Sequence, residues 1–154
     1  MKRTFELHAR GPSSANGGSA ADLGYACFII FNSKEYSAYK ITSLYRWIFR
    51  AIEHEQILLF FDKTNNPFGY ITWAHLAPDT ENRLLNDPNF SLHPTEWSEG
   101  GKTWIIDFSF PFGGLIEASR LARKIFQEKN IERVFWTRRN KNSTVRKVGS
   151  CKLN

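Results

Sequence analysis

Apolar residues recur along this chain with two different periods, which separate the predicted strands from the predicted helices. Short runs rich in β-branched and aromatic residues predict strands at residues 56–61, 68–74, 103–110 and 131–137. Asn65-Asn-Pro67 lies between the first two runs and favours a turn. We therefore expect these two strands to form an antiparallel hairpin.

Helical spacing marks two other segments. Residues 39–52 place Leu44, Ile48 and Ile52 four positions apart, which predicts an amphipathic helix. A second helix is predicted at residues 115–128, whose apolar side chains share one face: Leu115, Ala118, Leu121, Ala122, Ile125 and Phe126. Residues 23–31 are apolar throughout, and so short a run does not distinguish a buried helix from a buried strand.

The remaining segments are rich in small or polar residues. Residues 76–101 contain three prolines and a Ser-Glu-Gly-Gly turn, so we expect loops with at most a short helix near residues 81–86. The chain from Arg138 onward is predicted to be a polar, basic tail. Residues 1–21 end in small residues and are predicted to be a flexible N-terminal extension, pinned at most by contacts elsewhere.

The order of these elements predicts the fold class. Residues 22–154 are enough for one domain with a core, and no internal repeat is visible. The last strand, helix and strand favour a right-handed crossover between neighbouring strands. We expect a single α/β domain in which helices flank a central mixed β-sheet.

Charge and cysteine content narrow the function classes. Of 154 residues, 42% are hydrophobic and 15% aromatic, as in a globular domain. The net charge of +6 is uneven, because residues 120–154 hold eleven Lys and Arg against two Glu, a balance of +9 that leaves −3 for residues 1–119. This distribution indicates an anionic partner, which is a phosphate-bearing cofactor, an acidic protein or nucleic acid.

Several functions receive no support from the sequence. No apolar run is long enough to span a membrane, and the N-terminus lacks the apolar core of a secretory signal. Cys27 and Cys151 form no zinc motif with the four histidines, so no metal is expected. A single long-range disulfide is possible, although nothing requires one in the reducing cytoplasm, which is the default location.

Asp107 is the first candidate for chemistry. Strand alternation places Trp104, Ile106, Phe108 and Phe110 on one face, and Ile105, Asp107 and Ser109 on the other. A carboxylate among apolar residues requires a partner, a water-filled cleft or a raised pKa. A structural ion pair and an active site satisfy this requirement equally well.

Three weaker candidates each have a structural alternative. Phe112-Gly-Gly114 lies between a strand and a helix, where it either binds a phosphate or oxyanion or simply ends the strand. His75 is a catalyst or a packed residue. Trp136 beside Arg138-Arg-Asn-Lys141 is a nucleic-acid platform or an exposed basic surface.

Four stretches together resemble the RTX toxin-activating lysine acyltransferases, the haemolysin-activating protein C type. They are Leu23-Gly24 leading to Ser33-Lys-Glu-Tyr36, then Pro67-Phe-Gly-Tyr-Ile-Thr-Trp-Ala-His-Leu76, Glu96-Trp-Ser-Glu-Gly100 and Trp104-Ile-Ile-Asp-Phe-Ser-Phe-Pro-Phe-Gly113. The resemblance runs from about residue 23 to 115 and implies a fold like that of the Gcn5-related N-acetyltransferases. It also implies transfer of a fatty acyl group from acyl-carrier protein, the co-substrate, to the ε-amine of a lysine on a protoxin or another polypeptide, with no permanently bound cofactor.

The resemblance carries the family's catalytic Asp onto Asp107, whereas the catalytic His position is occupied by Tyr36. A histidine of pKa near 6.5 accepts a proton at neutral pH far more readily than a tyrosine near 10. Three explanations are open. Tyr36 acts as a donor or orienter while Asp107 assists deprotonation; His75 has taken over; or the protein binds acyl chains or acyl carrier without fast turnover.

The remaining expectations concern partners. Backbone N–H groups of the sheet or the Gly113 turn would stabilise the oxyanion. Gly113, Gly114, Arg120, Arg123 and Lys124 would attract the carrier protein and its phosphopantetheine. The resemblance implies a homodimer, which the aromatic surplus would suit. The alternatives are a catalytically weak or inactive binding module of the same fold and, less favoured, a basic nucleic-acid-binding domain.

Overall fold

A computed structural model describes residues 4–14, 18–36 and 38–154, and these residues are arranged around one six-stranded sheet. The strands lie in sequence order: β1 (Leu7–Arg10), β2 (Ile57–Asp62), β3 (Pro67–Leu76), β4 (Lys102–Ser109), β5 (Arg133–Arg139) and β6 (Val145–Lys152). All neighbours are antiparallel except β4 and β5, which are parallel. The sheet is therefore mixed, as predicted.

Helices cover both faces of the sheet. They are α1 (Gly18–Phe31), α2 (Ile41–Leu44), a π-helical turn (Tyr45–Phe49), α3 (Arg50–Glu53), α4 (Pro78–Asn86) and α5 (Leu115–Glu128). Segments α1 to α3 share one core with Tyr70, Ala74 and Trp104. Helix α5 shares the other core with Phe60 and Trp73. We call these two sides the α1 face and the α5 face.

The ambiguous run at residues 23–31 is helical. Its buried residues Asp22, Ala26, Ile29 and Ile30 follow the spacing of one helix face. The predicted helix 39–52 is also present, and Leu44, Ile48 and Ile52 are buried. Helix α5 has the predicted bounds, and α4 begins before the short helix expected near residue 81.

The predicted hairpin is confirmed by β2 and β3, which pair from Ile57 opposite Thr72 to Phe60 opposite Gly69. The Asp62 carboxylate accepts hydrogen bonds from Thr64 and Asn66 and so organises the turn. These bonds hold the pKa of Asp62 below its usual value. Local turn chemistry thus fixes the register.

A β-bulge in β4 overturns the predicted alternation of its side chains. Thr72 of β3 pairs with Asp107, but Trp73 pairs with Ile105, so Ile106 is an extra residue. A bulge reverses the alternation that follows it. Trp104, Ile106 and Asp107 therefore lie on the α1 face, whereas Phe110 packs in the α5-face core. The prediction that Asp107 and Trp104 lie on opposite faces of this strand was wrong.

Two edge strands were not predicted. Residues 7–10 were assigned to a flexible extension, yet β1 pairs with β2 from Leu7 opposite Asp62 to Arg10 opposite Leu59. Residues 1–3 and 15–17 of that extension lie outside the described residues. The expected basic tail contains β6, which pairs with β5 along its length. Because β6 is an exposed edge strand with few apolar residues, its sequence carries no clear alternation.

Two further sequence expectations meet the structure here. Cys27 packs against the α1-face core and Cys151 against the α5-face core, and both thiols are free. In the part of the chain that the structure describes, no helix has the length and apolar character needed to cross a membrane.

Candidate active site

The Asp107 carboxylate is bound by aromatic side chains from three separate segments. Tyr36 donates its hydroxyl to Oδ1 at 2.5 Å, and Tyr70 donates to Oδ2 at 2.6 Å. The Trp47 indole Nε1 donates to Oδ2 at 3.0 Å. Asp107 therefore has no cationic partner among these contacts, and neutral donors hold it in place.

Each donor is positioned by a local feature of the backbone. Tyr36 ends a short 3-10 helix (Lys34–Tyr36) that follows α1. Trp47 lies in the π-helical turn, a deviation from the α-helix that is frequent at functional sites. Tyr70 is fully buried on β3, on the same face as Thr72, whose strand partner is Asp107. The bulge at Ile106 turns Asp107 towards all three.

Burial dominates the electrostatics of this group. It raises the pKa of Asp107 to about 6, although hydrogen bonds from Tyr36, Tyr70, the Phe108 backbone and Trp47 oppose the shift. Burial and the nearby Asp107 charge raise the pKa of Tyr36 and of Tyr70 far above the usual phenol value. At neutral pH Asp107 is mostly ionised, and both tyrosines keep their protons.

The site opens into a cleft of about 460 Å³ where β4 and β5 separate. These strands pair only at Thr103 with Val134 and at Trp104 with Phe135. Beyond that point, Asp107 from β4 and Thr137 from β5 line the same cleft, together with Tyr36, Tyr39, Arg46 and Trp97. We call this space the Asp107 cleft.

An aromatic cluster forms the wall beside Asp107. The rings of Tyr36, Tyr39 and Trp47 contact one another with centroids 5.1 to 5.7 Å apart. Trp97, from the third motif, is fully buried, and among the described atoms its indole Nε1 has no hydrogen-bond partner. The wall beside Asp107 is thus aromatic, while Arg46 and Arg139 line other parts of the cleft. An aromatic wall suits an alkyl or acyl chain.

His75 lies away from this group. It lies on the α5 side of β3 beside Thr103, whose hydroxyl is 2.9 Å from its Nδ1. Its pKa is lowered by burial and by the charge of Lys129. Since Asp107 pairs with Thr72, His75 is three residues, or roughly 10 Å, further along the strand and on the opposite face. The structure does not bring His75 and Asp107 together.

The glycine turn has a sufficient structural explanation. Gly113 and Gly114 have φ values of +95° and +81°, which favour glycine. A Cβ at Gly114 would lie 2.8 Å from the Phe68 ring and 3.3 Å from Leu7. The left-handed backbone accounts for both glycines, and close packing by β1 and β3 is a second reason at Gly114.

The basic residues of α5 do not reach the Asp107 cleft. This helix packs on the opposite face of the sheet. Arg123 donates to the backbone carbonyls of Lys152 and Leu153, so it ties the end of β6 to α5. Arg120 and Lys124 are exposed. The structure therefore separates these residues from the group around Asp107.

The proposed nucleic-acid platform at Trp136 is half-buried, and one side of its indole packs on β6. Its indole lies so close to Gly149 of β6 that a Cβ there would be 2.4 Å from a ring carbon. A base would have to displace β6 to stack on this face. Elsewhere, no group of three His, Cys, Asp or Glu side chains among the described residues could hold a metal ion.

Sequence reasoning identified Asp107 and Tyr36 but not Trp47 or Tyr70. Tyr70 had a usable signal, because it shares a strand face with Thr72 within a predicted hairpin. Placing Tyr70 beside Asp107 also requires the β3–β4 register and the position of the bulge, and neither can be read from a single sequence. Trp47 depended on the π-helical turn, which has no marker of its own.

The fold is that of the GNAT acetyltransferases. The loading GNATL domain of CurA from Lyngbya majuscula superimposes with a TM-score of 0.58 at 17% identity, covering 89% of this chain and 67% of that one. A GNAT-family acetyltransferase from Listeria monocytogenes gives 0.53 at 12% identity, covering 90% and 80%.

Within that class, the chain belongs to the RTX toxin acyltransferase family, whose model matches residues 18–150. The leukotoxin-activating lysine-acyltransferase LktC of Mannheimia haemolytica serotype A1 is 38% identical over 91 residues, 59% of this chain and 53% of the relative. The protein-lysine myristoyltransferase HlyC of Escherichia coli is 28% identical over 107 residues, 70% and 60%. The match to LktC thus spans about half of that relative's length. Family and fold together place the chain among the acyltransferase-like proteins with a GNAT fold.

Proposed function

We propose that this protein transfers a fatty acyl group from an acyl-carrier-protein thioester to the ε-amine of a lysine on a polypeptide. The observation that carries the proposal is the Asp107 carboxylate, whose pKa is raised to about 6 at the opening between β4 and β5. A group that titrates near neutral pH is well matched to proton transfer. Relatives named as protein-lysine acyltransferases support lysine as the acceptor.

The hydrogen bonds around Asp107 suggest the route of the proton. A carboxylate has about four acceptor positions, and Tyr36, Tyr70, Trp47 and the Phe108 backbone all bind this one. The Tyr70 hydroxyl is buried, and an indole N–H cannot accept a proton. The Tyr36 hydroxyl lines the cleft and retains acceptor capacity.

The reaction then proceeds as follows. The lysine reacts as its free amine, after its ammonium proton has passed to water. The amine nitrogen attacks the thioester carbon, the C–S bond breaks and the amide forms. The amine proton passes to the Tyr36 oxygen while the Tyr36 proton passes to Asp107, so the phenol stays neutral. Asp107 later returns a proton to the departing thiolate. The bulge at Ile106 frees backbone groups from the ladder with β3, and an N–H there is our candidate oxyanion donor.

The opening between β4 and β5 suits the donor. Beyond Trp104 and Phe135 the facing edges of these strands no longer pair, and unpaired strand edges bind extended chains through backbone hydrogen bonds. A phosphopantetheine arm, which carries two amides, fits this description. Exposed Arg120 and Lys124 would attract the acidic carrier from outside the cleft.

Transfer is tested by incubating the protein with acyl-carrier thioester and a lysine-containing protein or peptide. We expect one acyl mass on a lysine, and no transfer by Asp107→Ala. Lys63→Gln, in the exposed hairpin turn, is the control. Carrier binding without transfer would instead identify an inactive binding module. Salt-dependent affinity for DNA or RNA would favour the nucleic-acid alternative.

We also propose that the protein forms a homodimer through an apolar patch near the end of β4. Phe108, Phe112, Leu115 and Ile116 are 42 to 64% exposed. Exposed apolar patches mark interaction surfaces. Sedimentation should show a dimer that Ile116→Lys dissociates, and a monomeric wild-type protein would contradict the proposal.

A further inference from the structure

A second cavity adjoins the Asp107 cleft and is lined by three arginines. This basic cavity, defined by Arg46, Arg50 and Arg83, has a volume of about 660 Å³. Arg46 lines both spaces, as do Ser91 and Leu92. Arg46 directly precedes Trp47, which binds Asp107. The basic cavity is therefore connected to the site through neighbouring residues: Arg46 lines the cavity, and Trp47 binds the Asp107 carboxylate.

Two of the arginines are fixed by carboxylates. Arg50 pairs with Glu53 at 2.7 Å. Arg83 pairs with Glu96 at 2.5 Å and also donates to the Ser91 carbonyl at 3.1 Å. These contacts hold both guanidinium groups in place and compensate their charges, although each group has five N–H donors. Arg50 and Arg83 therefore offer the cavity oriented N–H donors that are still free among the described residues, but little net positive charge.

Arg46 differs from its two neighbours. Within the described part of the chain its side chain makes no hydrogen bond or ion pair, and it is exposed. It therefore supplies the uncompensated positive charge where the two cavities meet. A guanidinium binds one carboxylate through two parallel hydrogen bonds. Arg46 can therefore bind one carboxylate at the point where the two cavities meet.

We propose that Arg46 binds an Asp or Glu side chain located one or two residues from the target lysine. This inference rests on the lysine acyltransferase activity proposed above. Each residue adds at most about 3.6 Å of chain, so such a carboxylate stays close to a lysine whose amine is at Tyr36. The donor arm is assigned to the opening beside β5, whereas Arg46 belongs to the wall formed by residues 41–53.

Matched acceptor peptides test the proposal. One peptide carries Glu two residues from the lysine, and the other carries Gln at that position. For the wild-type protein we expect the Glu→Gln change to raise the acceptor KM and Kd about two- to fivefold, as for a partly exposed charge pair. Arg46→Gln should remove this discrimination, and Arg46→Glu should reverse it in favour of a Lys-flanked peptide. Lys63→Gln, outside both cavities, is the charge-matched control and keeps the wild-type preference.

The outcomes separate this inference from the proposed function. Equal binding of the Glu and Gln peptides to the wild-type protein, measured by calorimetry without donor, overturns the role of Arg46. A KM rise for the thioester donor instead of the peptide in Arg46→Gln also overturns it, because the cavity would then hold the phosphate of the donor. Discrimination in binding without any acyl transfer supports the carboxylate site and refutes the activity.

Discussion

Tyr36→Phe removes one hydroxyl and keeps the ring, so it tests whether the proton passes through Tyr36. That hydroxyl donates to Asp107 at 2.5 Å. A hydrogen bond to a charged group contributes about 1.5–3 kcal/mol, which corresponds to about one to two pKa units. Because this bond lowers the pKa of Asp107, its loss should raise that pKa from about 6 by the same amount.

The assay is the pH dependence of kcat and kcat/KM for acyl transfer. In the wild-type protein, activity should fall as the pH drops through about 6, because Asp107 must be ionised to receive the proton. In Tyr36→Phe, this acidic limb should move to higher pH by one to two units. The maximal rate should also fall about 10²- to 10⁴-fold, the usual contribution of positioned proton transfer.

Two results would refute the reasoning in different ways. If the acidic limb moves but the maximal rate is preserved, Tyr36 only orients Asp107 and the relay is wrong. If neither changes, the Tyr36–Asp107 pair takes no part in the rate-limiting chemistry. Tyr39→Phe is the matched control, since Tyr39 contacts Tyr36 through its ring and lines the same cleft. Tyr36→His should retain transfer, because an imidazole both accepts and donates a proton.

Three further predictions concern stability, each measured by urea unfolding. Ionisation of Asp107 should lower the free energy of unfolding, because the pKa of this carboxyl rises from 3.8 to about 6 on folding. Its contribution to stability is fully present below about pH 4 and is lost as the pH rises through 6, in total about 3 kcal/mol. If Asp107→Asn kept the pH dependence of the wild-type protein, the prediction would be contradicted. Gly114→Ala should lower the free energy of unfolding by about 1–3 kcal/mol, because φ is +81° and a ring carbon of Phe68 lies 2.8 Å from the new Cβ. Gly24→Ala, in open space on α1, should instead raise it by about 0.5–1 kcal/mol. Equal effects of the two substitutions would show that backbone geometry is not the cause. Asp22→Ala should lower the free energy of unfolding by about 1–3 kcal/mol, because the buried carboxylate binds Arg10 at 2.8 Å and the Ser13 backbone N–H at 2.7 Å. An unchanged urea midpoint would mean that these contacts do not hold the N-terminal segment.

The elements that sequence reasoning predicted have local signals. Helix α5 shows a complete apolar face, and the β2–β3 hairpin combines two apolar runs with turn residues at Asn65 and Asn66. The edge strands β1 and β6 lack such signals. They are held by backbone pairing to β2 and β5, which are distant in sequence. Periodicity detects a buried face, and an edge strand with few buried residues escapes it.

The site depended on features that periodicity does not encode. The bulge at Ile106 places Asp107 on the α1 face, although strict alternation assigns it to the other. The π-helical turn orients Trp47 in a similar way. Both are local departures from regular geometry: the bulge positions the Asp107 carboxylate, and the π-helical turn points the Trp47 indole at it. Such departures are common near active sites, so the failure of the simple pattern coincides with the site itself.

The Tyr at position 36 also has a consistent chemical explanation. A His of pKa near 6.5 can bind and release the transferred proton near neutral pH. Here burial gives Asp107 a pKa of about 6, so the carboxylate has nearly the same proton affinity. Tyr36 then needs only to conduct the proton, and its raised pKa prevents it from becoming an unproductive anion. A His at position 36 would hold the proton itself, whereas Tyr36 leaves it on Asp107, and the variants Tyr36→Phe and Tyr36→His together can detect this difference.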